Sequence, residues 1–166
     1  MAENAFMEIK GIKGEGTEKN HIGWIPLKTI DWGVERTLDM DDLSTTQRGY
    51  ANAKFNKVTV TTQLSRASAP LMTAVANGTV RDDITVHLCR SGDDPKVGME
   101  PYLVFILKHG VIDTYSVNGG EDSIPEESWA VAYRHIEVKY READPKKGTL
   151  TDLNSFTWDL LQGTPG

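Results

Sequence analysis

Apolar and polar residues alternate with a period of two through most of this sequence, and this limits the fold more than any other feature. In residues 57–64, for example, Val58 and Val60 alternate with Lys57 and Thr59. Such alternation is typical of a strand with one buried and one solvated face. Similar patterns occur at residues 6–12, 22–34, 84–88, 111–117, 129–140 and 156–160. They predict a mainly β protein.

The alternation changes parity at two places. Apolar residues before and after residues 28–29 fall on opposite faces, and a second such change lies at residues 134–135. A strand cannot change its buried face without an extra residue or a bend, so a β-bulge is expected at the first place and a similar irregularity at the second. A short turn at residues 109–110 is expected to join the apolar run 102–107 to the next strand as a hairpin.

Residues 65–77 carry the one convincing helical pattern. Pro70 suits the first turn, Ser65 or Ser68 can cap the amino end, and Gly78 is suited to the position after the last turn. The apolar stripe of this helix consists of Leu71, Met72 and Val75. Many strands with one helix and two bends predict a closed or nearly closed β-barrel of two packed sheets with one flanking α-helix.

The chain is expected to form a single domain over residues 1–166. Its 166 residues, 39% of them hydrophobic, suffice for one sizeable core, and no linker or internal repeat interrupts them. Residues 35–54 show no clear periodicity and are rich in Asp, Ser, Thr and Gln. They are therefore predicted to form a long extended loop, and a loop of this length in a compact domain is usually functional or disordered.

Composition and charge argue against several classes of partner. The net charge of −6 speaks against nucleic acid and against an anionic membrane surface. The longest apolar run, residues 102–107, is far shorter than the roughly 20 residues that a membrane helix needs. The first ten residues lack the pattern of a general secretory signal, so any export is expected to use another route. The single cysteine, Cys89, excludes an intramolecular disulfide and a cysteine-rich metal site.

Two segments faintly resemble ligand-binding motifs, and each fails at a required position. Residues 11–17 have the glycine spacing of a P-loop, but Thr17 stands where a lysine would contact the phosphates. Residues 39–50 resemble a calcium loop, but Leu43 and Tyr50 replace two oxygen ligands. A glycine-rich turn and a solvated acidic loop are the better interpretations, and no cofactor is predicted.

Four histidines and one cysteine remain as candidates for chemistry: His21, His87, His109, His135 and Cys89. They match no zinc-protease, zinc-deaminase or serine-hydrolase pattern. His87 and Cys89 share a strand face, but two ligands do not make a metal site. Each histidine is expected at a strand surface, and Cys89 is expected to pack as a small apolar group. No catalytic or metal-binding residue is therefore predicted.

A set of short stretches, taken in order, carries a family resemblance over nearly the whole chain. The stretches are MEIKGIKGE at 7–15, Trp24, IDWGV at 30–34, SRASAPL at 65–71, LCRSG at 88–92, PEES at 125–128, Tyr133, IEVKY at 136–140 and WDL at 158–160. Together they resemble the haemolysin-coregulated protein (Hcp) family, the tube-forming component of the bacterial type VI secretion system. Minor departures are WAV at 129–131 and the charged turn at 146–147.

The resemblance implies a structural protein rather than an enzyme. In that family, β-barrel subunits assemble into hexameric rings that stack into a hollow tube, which a contractile sheath propels and which delivers effectors. The implied partners are further copies of the chain, sheath, spike and baseplate proteins, and effector cargo, without nucleic acid or membrane insertion. The implied location is the bacterial cytoplasm, followed by secretion without a signal peptide.

A tube subunit needs contacts with its neighbours, and the loop at residues 35–54 is the candidate for making them. Its apolar residues are expected to be the interface anchors; these are Leu38, Met40, Leu43 and Tyr50. The alternatives from other classes are a small β-barrel enzyme that uses His87 or His135, a ligand-binding module, and a monomeric adhesion or immunity-type module unrelated to secretion.

Overall fold

The computed structural model describes residues 4–38, 40–41, 44, 53–91, 98–143 and 149–166. This part of the chain contains thirteen strands and one α-helix. The strands are β1 Ala5–Glu8, β2 Ile25–Pro26, β3 Thr29–Asp31, β4 Val34–Arg36, β5 Ala53–Phe55, β6 Val58–Gln63, β7 Val80–Arg81, β8 Ile84–Ser91, β9 Met99–Lys108, β10 Gly110–Asn118, β11 Glu126–Ala132, β12 His135–Ala143 and β13 Leu150–Asp159. The helix, α1, spans Ser68–Asn77 and lies between β6 and β7.

The described strands pair antiparallel in three sheets. The larger sheets have six strands in the order β13-β12-β9-β8-β1-β2 and five in the order β3-β6-β11-β10-β7, and β4 with β5 forms a two-stranded ribbon. The mainly β fold with one helix is therefore confirmed. The strands described here do not close into one barrel, because each of the two larger sheets keeps free edges.

One buried cluster draws on both larger sheets and on the helix. Its members include Met7, Ile84, Leu107 and Ile136 from the six-stranded sheet, Val58, Ile112 and Trp129 from the five-stranded sheet, and Leu71 and Ala74 from α1. Burying a side chain of this size contributes about 1.5–3 kcal/mol, so the core holds the two sheets and the helix together. The predicted helix stripe needs one correction, because Met72 is 41% exposed and Ala74 takes its place in the core.

Both parity changes mark places where the chain passes from one sheet to the other. The Leu27 N–H donates to Ala5 O in the six-stranded sheet (2.8 Å), and the next amide, Lys28 N–H, donates to Thr61 O in the five-stranded sheet (2.8 Å). Residues 133–134 likewise join β11 to β12 across the two sheets. The irregularities are confirmed, but the β-bulge at residues 28–29 is wrong. Each sheet fixes its own inward residues, so parity need not continue through a crossing.

The hairpin predicted at residues 109–110 is wrong for the same reason. β9 pairs with β8 and β12, whereas β10 pairs with β11 and β7 in the other sheet. His109 makes the crossing in a left-handed conformation with φ of 52°. A side chain at Gly110 would place its Cβ 2.6 Å from Ile84 Cδ1, so this crossing packs tightly onto the core.

The helix ends as predicted but begins differently. Gly78 has φ of 67° and closes the last turn. The N-cap position is Ala67, which offers no side-chain cap, so the predicted serine cap is wrong. Ser68 Oγ instead accepts the Ser65 N–H (2.9 Å), and Ser65 Oγ accepts the Ala67 N–H (3.2 Å). The serines therefore order the turn that precedes the helix.

Candidate functional site

The glycine-rich segment at residues 11–17 is used for close backbone packing. Gly14 N–H donates to Gly23 O (2.9 Å), and Gly16 N–H donates to Trp24 O (2.8 Å). A Cβ at Gly14 would lie 2.4 Å from Trp24 O, and one at Gly16 would lie 2.4 Å from His21 O. Because these amides are already bonded to carbonyl groups, they cannot cradle a phosphate as P-loop amides do. The interpretation as a glycine-rich turn between strands is confirmed.

This packing carries Glu18 and His21 onto the face of β8 that bears His87 and Cys89. These four residues are called the histidine cluster below. His21 is 1% exposed, and its Nδ1 makes a short hydrogen bond with the Glu18 carboxylate. Its other ring nitrogen, Nε2, lies 3.0 Å from His87 Nδ1 and 3.7 Å from Cys89 Sγ. Two ring nitrogens and one sulfur therefore converge on the same small space.

Aromatic rings cover the histidine cluster. Phe6 stacks on His21 with ring centroids 4.4 Å apart and planes at 10°. Trp24 meets His21 edge-on at 4.8 Å and lies 4.6 Å from His87. These contacts fix the orientation of both imidazole rings.

Glu18 anchors the cluster from its outer side. Its Oε1 accepts the Met99 N–H (3.0 Å), and its Oε2 accepts the Asn20 N–H (3.0 Å) in addition to the bond with His21. Burial alone would raise the pKa of the Glu18 carboxyl, but these three hydrogen bonds outweigh it and hold the pKa below the usual value. The carboxylate is thus kept ionised and acts as the acceptor that orients His21.

Burial also sets the protonation of the other two members of the cluster. Desolvation, with smaller contributions from His21 and Arg141, lowers the pKa of His87 to about 4. Desolvation and the charge of Glu18 raise the pKa of the Cys89 thiol to about 12. At neutral pH His87 is therefore neutral and Cys89 is protonated.

Cys89, His21 and Glu18 follow the order of a nucleophile, a base and an orienting acid, but the environment opposes that role. A nucleophilic cysteine needs a lowered pKa and access to substrate. The Cys89 side chain is buried and its thiol pKa is raised. The burial of Cys89 is as predicted, but it contacts a histidine rather than apolar groups alone.

The histidine predictions hold at one position and fail at another. His109 lies exposed at the crossing between β9 and β10. The surface position expected for His21 is wrong, since this side chain is buried, and His87 is half-buried against it. Only the shared strand face of His87 and Cys89 was visible in the sequence. No local pattern could have added His21, which is 66 residues away from His87 along the chain.

A second buried polar group, called the Glu127 network below, lies in the five-stranded sheet. Glu127 is 1% exposed, and its Oε1 accepts the Thr62 hydroxyl (3.0 Å). The Tyr115 hydroxyl donates to the other carboxylate oxygen in a short bond. Trp129 Nε1–H in turn donates to Thr62 Oγ1 (3.1 Å). In the sequence, Glu127 stands out only as part of the PEES stretch at residues 125–128.

The predicted interface residues are only partly described by the structure. Leu38 is half-buried and Met40 is 83% exposed. Leu43 and Tyr50 lie outside the described residues. The predicted loop boundaries need correction, because β4 pairs with β5 and places Glu35 opposite Lys54. Both end residues of the predicted loop therefore belong to the paired ribbon.

The ribbon packs against the last strand through aromatic rings. Phe55 stacks with Trp158 at a centroid distance of 5.8 Å and with Phe156 at 6.3 Å. Trp32 Nε1–H donates to the Tyr133 hydroxyl (2.7 Å), which donates to Asn56 O (2.7 Å). The base of the 37–52 segment is thus fixed against β13.

Strand β13 is the long edge of the six-stranded sheet. In the described part of the chain it pairs with β12 alone. It spans ten residues, and its middle is exposed, with Leu153 at 52% and Phe156 at 38%. An edge strand of this length offers unpaired backbone groups and apolar side chains to another chain.

Comparisons with known proteins agree with the fold. Among the described residues, no helix is long and apolar enough to cross a membrane. The sequence matches the family described as type VI secretion system effector, Hcp, over residues 6–140. Among curated protein sequences, none matches this chain.

Solved structures of type VI secretion proteins share the fold at low sequence identity. One is described as a type six secretion system protein, with a TM-score of 0.86 and 20% identity over 99% of this chain and 100% of that one. Hcp1 from Salmonella typhimurium has a TM-score of 0.75 and 17% identity over 100% of both chains. A type VI secretion system effector from Yersinia pestis has a TM-score of 0.68 and 19% identity over 93% of this chain and 98% of that one.

The mainly β fold of two core-sharing sheets with one helix is therefore the fold of these type VI secretion proteins. Because the family match spans most of the sequence, the chain belongs to the Hcp family.

Proposed function

We propose that this chain is the structural subunit of a type VI secretion tube, in which subunits form rings of six and the rings stack. The family membership supports a secretion role. The observation that carries the assembly is the edge strand β13, because its exposed apolar residues and open edge suit contact with a second copy of the chain. A head-to-tail contact of this kind can close into a ring.

The same proposal gives the 37–52 segment a role. The ribbon that flanks it packs on β13 through Phe55, so the described ends of the segment lie beside the region proposed to meet the neighbouring subunit. Leu38, Met40, Leu43 and Tyr50 are its proposed apolar anchors, in the same ring or in the next. The neighbouring acidic residues suit the solvated rim of such an interface.

The wider proposal follows from the family. The tube acts with a contractile sheath and with spike and baseplate proteins, and it carries effector cargo from the bacterial cytoplasm to the outside. The proposed role is structural and non-enzymatic, which agrees with the protonated, buried thiol of Cys89.

Size-exclusion chromatography with light scattering, followed by negative-stain imaging, tests the ring directly. Wild-type protein should elute as a hexamer and show rings. A charge at Leu153, as in Leu153→Asp, should shift the protein toward monomer. Val117→Asp is the matched control, because Val117 is 51% exposed but lies on β10. A monomeric wild type, or a Leu153→Asp variant that forms rings at wild-type concentration, would contradict the proposal.

A deletion tests the proposed anchors. Replacing residues 38–50 with a short Gly-Ser bridge should leave the fold intact by circular dichroism, because the ribbon and both larger sheets remain. Ring formation or stacking should weaken. If the deletion variant forms rings and stacks as the wild type does, the segment has no role in assembly.

A further inference from the structure

The histidine cluster brings together ligand atoms that the proposed secretion role does not require. One ligand atom from each of His21, His87 and Cys89 lies within 4.8 Å of the other two. We propose that these three side chains bind Zn²⁺ and leave a fourth coordination position to water. The site would be structural, and it would join the 9–24 connection to strand β8.

Two of the three ligand-atom distances are close to those of tetrahedral zinc, and the third pair lies within 4.8 Å. Zinc binds imidazole nitrogen at about 2.0–2.1 Å and thiolate sulfur at about 2.3 Å, which places neighbouring ligand atoms about 3.3–3.6 Å apart. His21 Nε2 lies 3.0 Å from His87 Nδ1 and 3.7 Å from Cys89 Sγ. These two distances need adjustments of a few tenths of an ångström, and the His87–Cys89 pair, which lies within 4.8 Å, closes by at most about 1.2 Å to seat the ion.

The hydrogen bonds around the cluster have the order expected behind a zinc ligand. A histidine that binds metal usually donates its other ring N–H to a carboxylate, which fixes the tautomer and the ring orientation. His21 makes this bond through Nδ1 to Glu18, which leaves the Nε2 lone pair facing the cluster. Glu18 is itself held by the Met99 and Asn20 amides, so the orientation is set before any ion arrives.

The donor set selects the type of metal. One thiolate and two imidazoles suit zinc or copper, whereas calcium and magnesium prefer oxygen ligands. On binding, the Cys89 S–H bond breaks as the zinc–sulfur bond forms, and the proton passes to solvent. His87 gives up its hydrogen bond to His21 and carries its proton on the other ring nitrogen. No electron is transferred, so no oxidant or reductant is needed.

The charges around the site favour a divalent ion. The thiolate of Cys89 and the carboxylate of Glu18 supply two negative charges against the ion. Arg141 is the positive group that acts on His87. Its Nε lies 3.1 Å from Asp152 Oδ1, so part of its charge is offset outside the cluster.

Cobalt substitution on the full-length chain gives the most direct test. Cobalt(II) bound to a thiolate produces an intense near-ultraviolet charge-transfer band, and this chain has one cysteine, so the band reports Cys89 alone. Chelator-treated wild type should show the band with one equivalent of Co²⁺, and Zn²⁺ should displace it. Absence of the band at equimolar or excess Co²⁺ would overturn the proposal.

Variants assign the ligands. Cys89→Ser should lose the band and bind Zn²⁺ at least about 100-fold more weakly, because it removes a ligand outright. Glu18→Gln should keep the band but weaken zinc binding about 10–100-fold, which is the effect of a positioning residue. His109→Ala is the matched control, since His109 is exposed and its Nδ1 lies 3.7 Å from Asp82 Oδ1, outside the cluster. It should bind as the wild type does.

Equal zinc affinity in Cys89→Ser and wild type would overturn the proposal, as would loss of binding in His109→Ala together with retention in Cys89→Ser. If Cys89→Ser fails to fold by circular dichroism, the cobalt spectrum of the wild type decides by itself. A melting temperature that rises with Zn²⁺ in wild type but not in Cys89→Ser would support the proposal independently.

Discussion

The Glu127 network and the histidine cluster are both buried and polar, but they are built in opposite ways. In the first, a carboxyl group lies at the centre and receives hydroxyl donors from Thr62 and Tyr115. In the second, the carboxylate of Glu18 lies at the edge, and ring nitrogens and a sulfur point toward a common centre.

This difference separates a structural network from a candidate ligand site. In the Glu127 network, each hydroxyl donor bonds to the carboxylate and so satisfies both groups. This network is therefore complete without any added group. In the histidine cluster, one hydrogen bond joins His21 and His87, and a metal ion can replace the proton that they share. The first arrangement should therefore matter most for the stability of the bare fold, and the second most when an ion is present.

The largest expected effect on stability comes from removing the carboxyl group of Glu127, the centre of the Glu127 network. Glu127→Ala should lower the free energy of unfolding by about 3 kcal/mol, because the buried Thr62 hydroxyl and the half-buried Tyr115 hydroxyl lose their acceptor. Glu126→Ala is the matched control. Its carboxylate is half-exposed beside Lys28, and its removal should cost less than about 1 kcal/mol. Urea unfolding measures both, and equal losses would show that the network does not stabilise the fold.

Removing one donor from the same network should have a smaller effect. Tyr115→Phe should cost about 1–2 kcal/mol at neutral pH. Burial and Glu127 raise the pKa of Tyr115 to about 12. This contribution is therefore complete below pH 10, where the unfolded phenol is also protonated, and is lost as the pH rises from 10 to 12.

The difference between Tyr115→Phe and wild type should accordingly narrow across that pH range in denaturant unfolding. Tyr140→Phe serves as the control, because this side chain is 45% exposed and should change stability by less than about 0.5 kcal/mol. A constant difference from pH 7 to pH 12 would show that Tyr115 does not bond to Glu127 as described.

The smallest effect on the bare fold is expected in the histidine cluster. With chelator present, Cys89→Ala should cost about 1 kcal/mol, since it removes one buried atom of moderate size. With free Zn²⁺ above the dissociation constant, the difference should grow by about 1.4 kcal/mol for each tenfold rise in zinc. If the difference is the same with and without zinc, the two regions do not differ in the way proposed.

Local patterns predicted the elements of the fold well. The alternation in residues 58–63 became β6, with Val58, Val60 and Thr62 buried as expected. The helix and its glycine end were also visible, because capping and helical spacing act within a few residues. Elements that are stabilised by residues close in sequence can therefore be predicted from a short stretch of sequence.

Strand partners were not predictable in this way. The sequence at residues 109–110 suggested a hairpin, yet His109 carries the chain into the other sheet. The change of parity at residues 28–29 was real, but a crossing between sheets and a bulge leave the same pattern. Which strand pairs with which depends on how the whole core packs, and this information is not local.

The mainly β character, a helix over about residues 65–77 and the resemblance to the Hcp family could all be predicted from the sequence alone, because periodicity and motif order are properties of the chain. The sheet crossings and the two buried polar groups, in contrast, arise from the packing of the whole chain. His21 meets His87 across 66 residues, and Thr62 meets Glu127 across 65. Such contacts arise when sheets pack on a common core, since packing brings together side chains that no local pattern links.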